Sequence, residues 1–130
     1  YEATRDLDFQ AIGGLEVGAI PMSAAALVAF HRAGRPMEGF FVRKQAKSHG
    51  SKELVEGQVN AGDKVVVIDD VLTTGGSVVQ AIQAVEAVGA TVVRVVCICD
   101  RLQGAAEALG KYDYRPLFTV RDFGIQPEGS

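Results

Sequence analysis

The sequence is poor in cysteine, has no excess of basic residues and contains no long apolar run. Each shortage removes a class of function. Cys97 and Cys99 are its only cysteines. They stand two apart in VVRVVCICD, which reads as a strand, so both thiols point to one face. That placement disfavours a disulfide between them, and two thiols alone do not make a structural zinc site. They read as small buried side chains in a reducing compartment. Lysine plus arginine number 13 against 16 aspartates and glutamates, a net charge of −3. The basic footprint that nucleic-acid binding needs is therefore missing. No apolar run approaches the ~20 residues that span a bilayer, so no membrane association is expected. The opening residues, YEATRDLDF, lack the basic and apolar regions of a secretory leader. A cytoplasmic protein is the expectation. With no internal repeat, low-complexity tract or linker, the 130 residues read as a single domain spanning 1–130.

What is present is an alternation of strand and helix patterns. DFQAI at 8–12 predicts a short strand running into GGLEVGAIP. MSAAALVAFHRA at 22–33 is alanine-rich and helical, with Gly34 as its stop; His31 within it reads as structural. FFVR at 40–43 predicts a strand, and residues 44–62, polar and without periodicity, a long mobile loop. KVVVID at 64–69 has the continuous apolar character of a parallel strand buried on both faces. From Ser77 to Val88, apolar residues recur at helical spacing through Val78, Ala81, Ile82, Val85 and Val88. TVVRVVCIC at 91–99 predicts a strand, AAEALG a short helix and RPLFTV at 115–120 a last strand. The fold class expected is α/β, Rossmann-like, with a parallel sheet of about five strands flanked by helices. Ligands of such sheets bind beyond the carboxyl ends of the strands. Asp69, Asp70 and Asp100 are expected at such ends.

Chemistry concentrates in VVVIDDVLTTGGS at 65–77. A strand, a small hydroxyl-rich and glycine-rich loop and a helix make a phosphate site. Backbone N–H groups of Thr73 to Ser77 converge at the helix N-terminus, and Thr73, Thr74 and Ser77 add hydroxyls. Gly75 and Gly76 permit close approach and positive φ. No lysine follows the glycines, so this is not a P-loop, and G-x-G-x-x-G is absent. Carboxylates repel phosphate, so Asp69 and Asp70 should face another part of the ligand, and sugar hydroxyls suit them. A sugar phosphate is implied. A second segment, RKQAKSHGSK at 43–52, holds Arg43, Lys44, Lys47, His49 and Lys52 with no acid, which suggests a small anion.

The 65–77 stretch resembles the phosphoribosyl pyrophosphate (PRPP) motif of type I phosphoribosyltransferases. RKQAKSHG at 43–50 resembles the mobile catalytic loop of the orotate phosphoribosyltransferases among them, at Arg43, Lys44, Lys47, His49 and Gly50. The resemblance extends from about Phe9 to Ile125. It implies transfer of phosphoribosyl from PRPP to orotate, giving orotidine 5′-monophosphate and pyrophosphate, a step of pyrimidine (UMP) biosynthesis, with Mg²⁺ bound mainly through PRPP and no direct protein ligand. It implies that Lys47, Asp69 and Asp70 are catalytic. PRPP would be held by Arg43, Lys44, Lys47 and His49 together with Asp69, Asp70, Val71, Leu72, Thr73, Thr74, Gly75, Gly76 and Ser77. Thr73 and Arg101 would contact orotate, and Glu16, Val17 and Gly18 would form the pyrophosphate loop. In this family the catalytic loop, here 44–62, serves the neighbouring subunit's site, which implies a homodimer with shared active sites.

Two departures stand out. Some bacterial members carry an aromatic residue and a lysine where this chain has Val17 and Gly18. Family members also carry an N-terminal hood over the base, whereas this chain begins at Tyr1, a few residues before the first strand. Weaker orotate binding than PRPP binding is the expectation. Two other readings stand beside the enzyme: a non-catalytic PRPP-binding regulatory module, and a phosphoribosyltransferase for another base.

Overall fold

The structure is a computed structural model, and it describes residues 1–45 and 53–129. In chain order the elements are β1 (Ala11–Leu15), α1 (Ala19–Arg32), β2 (Glu38–Val42), β3 (Val55–Gly57), β4 (Lys64–Leu72), α2 (Gly76–Val88), β5 (Thr91–Asp100), α3 (Ala105–Ala108) and β6 (Tyr114–Thr119). A 3-10 turn, Val120–Phe123, follows. The strands form one sheet in the order β3-β2-β1-β4-β5-β6. All neighbours are parallel except β3, which runs antiparallel to β2.

Strand β4 explains the layering. Its residues alternate between two cores, as a period of two requires. Val65 and Val67 share a core with Val78, Ala81, Ile82 and Val85 of α2. Val66 and Ile68 pack with Phe9, and with Ala19 and Phe30 of α1. The apolar run of β4 is thus buried on both faces, with a helix over each. The chain leaves the centre in opposite directions from β1 and β4, so their carboxyl ends form the crevice where such sheets bind ligands.

Three expectations are corrected. The sheet has six strands, because Val55–Gly57 within the expected loop 44–62 pairs with β2. A three-residue strand is too short to leave a periodic signal. The first strand is 11–15 instead of 8–12. Gly13 and Gly14 look like the start of a loop, but they allow close backbone packing. A Cβ at Gly13 would lie 2.0 Å from the Phe40 carbonyl oxygen, and one at Gly14 2.1 Å from that of Ile68. Finally, β4 does not stop at its aspartates but runs on to Leu72, paired with β5 through Leu72 and Asp100.

Arg94 interrupts the apolar pattern of β5 and is 2% exposed. Its Nη1 donates to the Ala3 carbonyl and to Asp6 Oδ1, each at 2.8 Å, and its Nε donates to Asp113 Oδ2 at 2.8 Å. The Arg94 guanidinium holds the Asp6 carboxyl below the usual range. Burial pushes Asp113 upward, but Arg94 and Arg115 outweigh it and the net shift is down. One buried cation thereby ties the chain's first turn to β5 and to the residue preceding β6. Arg94→Ala is expected to destabilise the protein by on the order of 2–4 kcal/mol, less than a fully buried pair because both carboxylates reach solvent. Urea denaturation checks this, and limited proteolysis should find its first new cut near Ala3.

Candidate active site

The ends of β1 and β4 frame a cavity of about 330 Å³ between the loop Leu15–Gly18, Lys44, Asp69, Asp70 and Ser77. Gly18 precedes α1, and a Cβ there would stand 2.7 Å from Asp70 Oδ1 and 2.8 Å from Asp69 Oδ1. The loop therefore approaches the acidic pair as bare backbone. The Glu16–Val17 peptide is cis. Glu16 Oε1 accepts the Lys44 N–H at 2.9 Å, which fixes the start of the basic segment beside the loop.

The two aspartates are not equivalent. Asp69 is 6% exposed, whereas Asp70 faces solvent. Asp69 Oδ1 accepts the Asp70 N–H at 2.8 Å, and its Oδ2 accepts the Ser77 hydroxyl at 3.0 Å. Burial, then the neighbouring Asp70 carboxyl, push the Asp69 carboxyl up to about 6, against the pull of these two donors. Asp70 Oδ1 accepts the Val71 N–H at 2.8 Å, which turns this carboxylate toward its own strand end. The hydroxyl of Ser77, expected on phosphate, is thus engaged with Asp69. Ser77 still contributes its place in the first turn of α2.

The phosphate loop is open. Gly75, at φ +92°, caps α2 with no side-chain hydrogen bond, so the orphan N–H groups of the first turn are left for an anion. Thr73 and Thr74 are exposed in front of it, and Val71 is exposed beside them. Leu72 is buried, and its carbonyl accepts the Arg101 N–H at 2.9 Å. Gly76 leaves room: a Cβ there would meet Thr74 Oγ1 at 3.9 Å and nothing closer.

The basic residues divide. Lys44 lines the cavity, and Gln80 of α2 donates through Nε2 to its carbonyl at 3.1 Å. Gln80 leaves only a faint trace in the sequence, a polar side chain one turn beyond Ser77 on a mainly apolar helix. Arg43 is turned the other way, with Nε donating to Glu56 Oε1 at 2.9 Å and its guanidinium carbon 5.5 Å from the Phe41 ring centre. Lys47 and His49 lie outside the described residues. Arg101 follows β5 and is exposed, its Nη2 3.4 Å from Glu128 Oε1. Among the described residues no three His, Cys, Asp or Glu side chains gather into a metal site. None of their helices is long and apolar enough to cross a membrane.

A buried acid beside an exposed one, a backbone loop and an open helix N-terminus around one cavity suit a ligand with both hydroxyls and phosphates. Comparison with known proteins agrees. Residues 5–125 match the phosphoribosyl transferase domain. The chain belongs to the phosphoribosyltransferase family. It is 43% identical over 119 residues to the orotate phosphoribosyltransferase of Rhodopirellula baltica, covering 90% of this chain and 62% of that one. With the orotate phosphoribosyltransferase of Mycobacterium tuberculosis it shares 42% identity over 126 residues, 95% of this chain and 69% of the relative. A crystal structure of the M. tuberculosis enzyme in complex with PRPP superposes with a TM-score of 0.81 at 40% identity, covering 95% of this chain and 70% of the other. This phosphoribosyltransferase chain therefore spans about 62–70% of these relatives' length.

Two outcomes test the geometry. Asp69 has a folded pKa above its ordinary value of 3.8, so its contribution to stability is whole below pH 3.8 and is lost as pH rises through about 6. Asp69→Asn should therefore gain stability relative to the parent between pH 4 and pH 7.5, by on the order of 2 kcal/mol. Urea titrations at the two pH values read it, and a pH-independent difference contradicts it. Separately, Gly75→Ala meets both a left-handed backbone and Ala105 Cα at 3.3 Å. It should cost about 1–2 kcal/mol, while Gly76→Ala stays within about 0.5 kcal/mol, as thermal melts will show.

Proposed function

We propose that this chain transfers the phosphoribosyl group of PRPP to orotate, forming orotidine 5′-monophosphate and pyrophosphate in pyrimidine biosynthesis. The observation that carries the reading is the acidic pair beside an open helix N-terminus at the carboxyl ends of β1 and β4. In the reaction, the bond from the anomeric carbon to pyrophosphate breaks and a bond to the base nitrogen forms. The carbon becomes cation-like between these events, so catalysis consists of positioning and of stabilising leaving-group charge. Thr73, Thr74 and the N–H groups of Gly75 to Ser77 hold the 5′-phosphate. Asp70 accepts the ribose hydroxyls, and Asp69, held by Ser77, supports it and faces the developing positive charge. Backbone amides of Glu16 to Gly18 meet pyrophosphate beside Lys44.

The remaining roles rest on the family resemblance. Arg43, Lys47 and His49 bind pyrophosphate, Lys47 is catalytic, and Thr73 and Arg101 contact orotate. Closure of the part of the 44–62 segment that precedes β3 excludes water. A homodimer in which that segment completes the neighbouring site, in a cytoplasmic setting, belongs to the same reading. A Mg²⁺ ion would be bound mainly through PRPP, with no direct protein ligand. When bound, that ion neutralises leaving-group charge.

Orotate absorbance, followed with PRPP and Mg²⁺, tests the reading. Orotate should be consumed, and Lys47→Ala should slow turnover by roughly a hundredfold or more, the scale of losing one transition-state charge contact. Full activity in Lys47→Ala removes that role. PRPP binding by calorimetry without orotate loss points to a binding module, and turnover of a different base moves the specificity.

A further inference from the structure

Asp100 is the last residue of β5 and is 2% exposed. Its two oxygens are both occupied, and by different elements. Oδ2 accepts the Tyr114 hydroxyl of β6 at 2.9 Å, and Oδ1 accepts the Leu102 N–H at 2.7 Å. The Tyr114 hydroxyl also meets Cys97 Sγ at 3.3 Å, which fixes the ring's height over the sheet. Leu102 sits at φ +60°, the one positive φ at a non-glycine residue among the described residues. A leucine in that region is uncommon and needs its surroundings to hold it. Between Asp100 and Leu102 stands Arg101, whose N–H donates to the Leu72 carbonyl at 2.9 Å, where β4 becomes the phosphate loop. Just beyond, Gly104 at φ +112° opens α3, and Ala105 lies against Gly75.

The turn carrying Arg101 is therefore fastened on three sides, to Leu72, to Gly75 through Ala105, and to Tyr114 through Asp100. The first two attach it to the phosphate loop. The third attaches it to the last strand, away from the cavity. We infer that Asp100 and Tyr114 are positioning residues that hold the 100–104 turn so that Arg101 meets the base at a fixed distance from the sugar-phosphate loop. The inference rests on the proposed reaction for the base, but the lock itself is a property of the turn. Asp100 pairs with Leu72 through the backbone, but the side-chain partners of Asp100 and Tyr114 are Leu102, Cys97 and each other, so losing the side chains should loosen base binding and spare PRPP.

Three variants of the full chain test it, with steady-state kinetics and amide hydrogen exchange. Tyr114→Phe and Asp100→Ala should raise KM for orotate about tenfold or more while KM for PRPP stays within about twofold. Asp100→Asn should stay near the parent, because its oxygen accepts from Leu102 and its amide donates to the Tyr114 oxygen. Exchange at the Arg101 and Leu102 amides should accelerate in Tyr114→Phe, with the Val79 amide, bonded to the Gly75 carbonyl, unchanged. If Asp100→Ala fails to fold, Tyr114→Phe, which removes a single oxygen, decides. Equal rises in both KM values, or unaltered exchange at Leu102, overturn the assignment. A parent chain that consumes no orotate refutes the proposed reaction and the base-directed part with it; exchange at Leu102 then decides whether the lock exists.

Discussion

Backbone contact at β1 is the constraint on which the rest of the structure depends. This strand is squeezed between β2 and β4 so closely that Gly13 and Gly14 have carbonyl oxygens where a Cβ would stand. The same economy of side chains continues to Gly18, which brings the loop against both aspartates. Without it, the acidic pair could not sit within reach of a backbone wall. Because β1 crosses over to β2 on one side and β4 to β5 on the other, their loops leave in opposite directions and the crevice between them is a product of topology. The two halves of the cavity wall, the acidic pair and the loop at Gly18, are thus brought together by the pairing of two strands.

The acidic pair divides its labour by burial. Asp69 is held by Ser77 and by the next backbone amide, while Asp70 keeps its carboxylate toward solvent. Burial makes Asp69 costly to ionise, and the adjoining carboxyl adds to that cost. A ligand that brings positive charge close to the pair, as a cation-like sugar does, offsets both.

Much of this was legible in the residues. The continuous apolar run of β4, the spacing of α2 and the sequence DDVLTTGGS point to a sugar-phosphate site between a buried strand and a helix, and the structure brings those residues together. What escaped had physical reasons. Aspartates are poor strand formers, yet the ladder to β5 carries β4 through them to Leu72. β3 is too short to show a period. Arg94 reads as a break in an apolar strand until its three partners from distant segments are seen. Ser77 has the right chemistry for phosphate, and nothing in the sequence shows that its hydroxyl also reaches Asp69. Tyr114 and Asp100 are fourteen residues apart in the chain, and the β5–β6 register sets Tyr114 beside Val95, so only the reach of the tyrosine side chain along the sheet brings its hydroxyl to Asp100.

The position of β1 also governs how the chain can be assembled. It is the first strand in sequence and the third across the sheet, and its register partner for Ala11 is Val65. Asp6 waits longer still, for Arg94, 88 residues later. A ribosome-bound chain that has emerged only as far as β2 has one side of β1 unpaired and the α2 face of its small sheet bare. Such non-local parallel pairings close large loops before they gain contacts, which slows folding and lengthens the exposure of apolar strand edges. The arrangement that places the ligand crevice at the centre of the sheet therefore leaves that centre open until β4 has emerged.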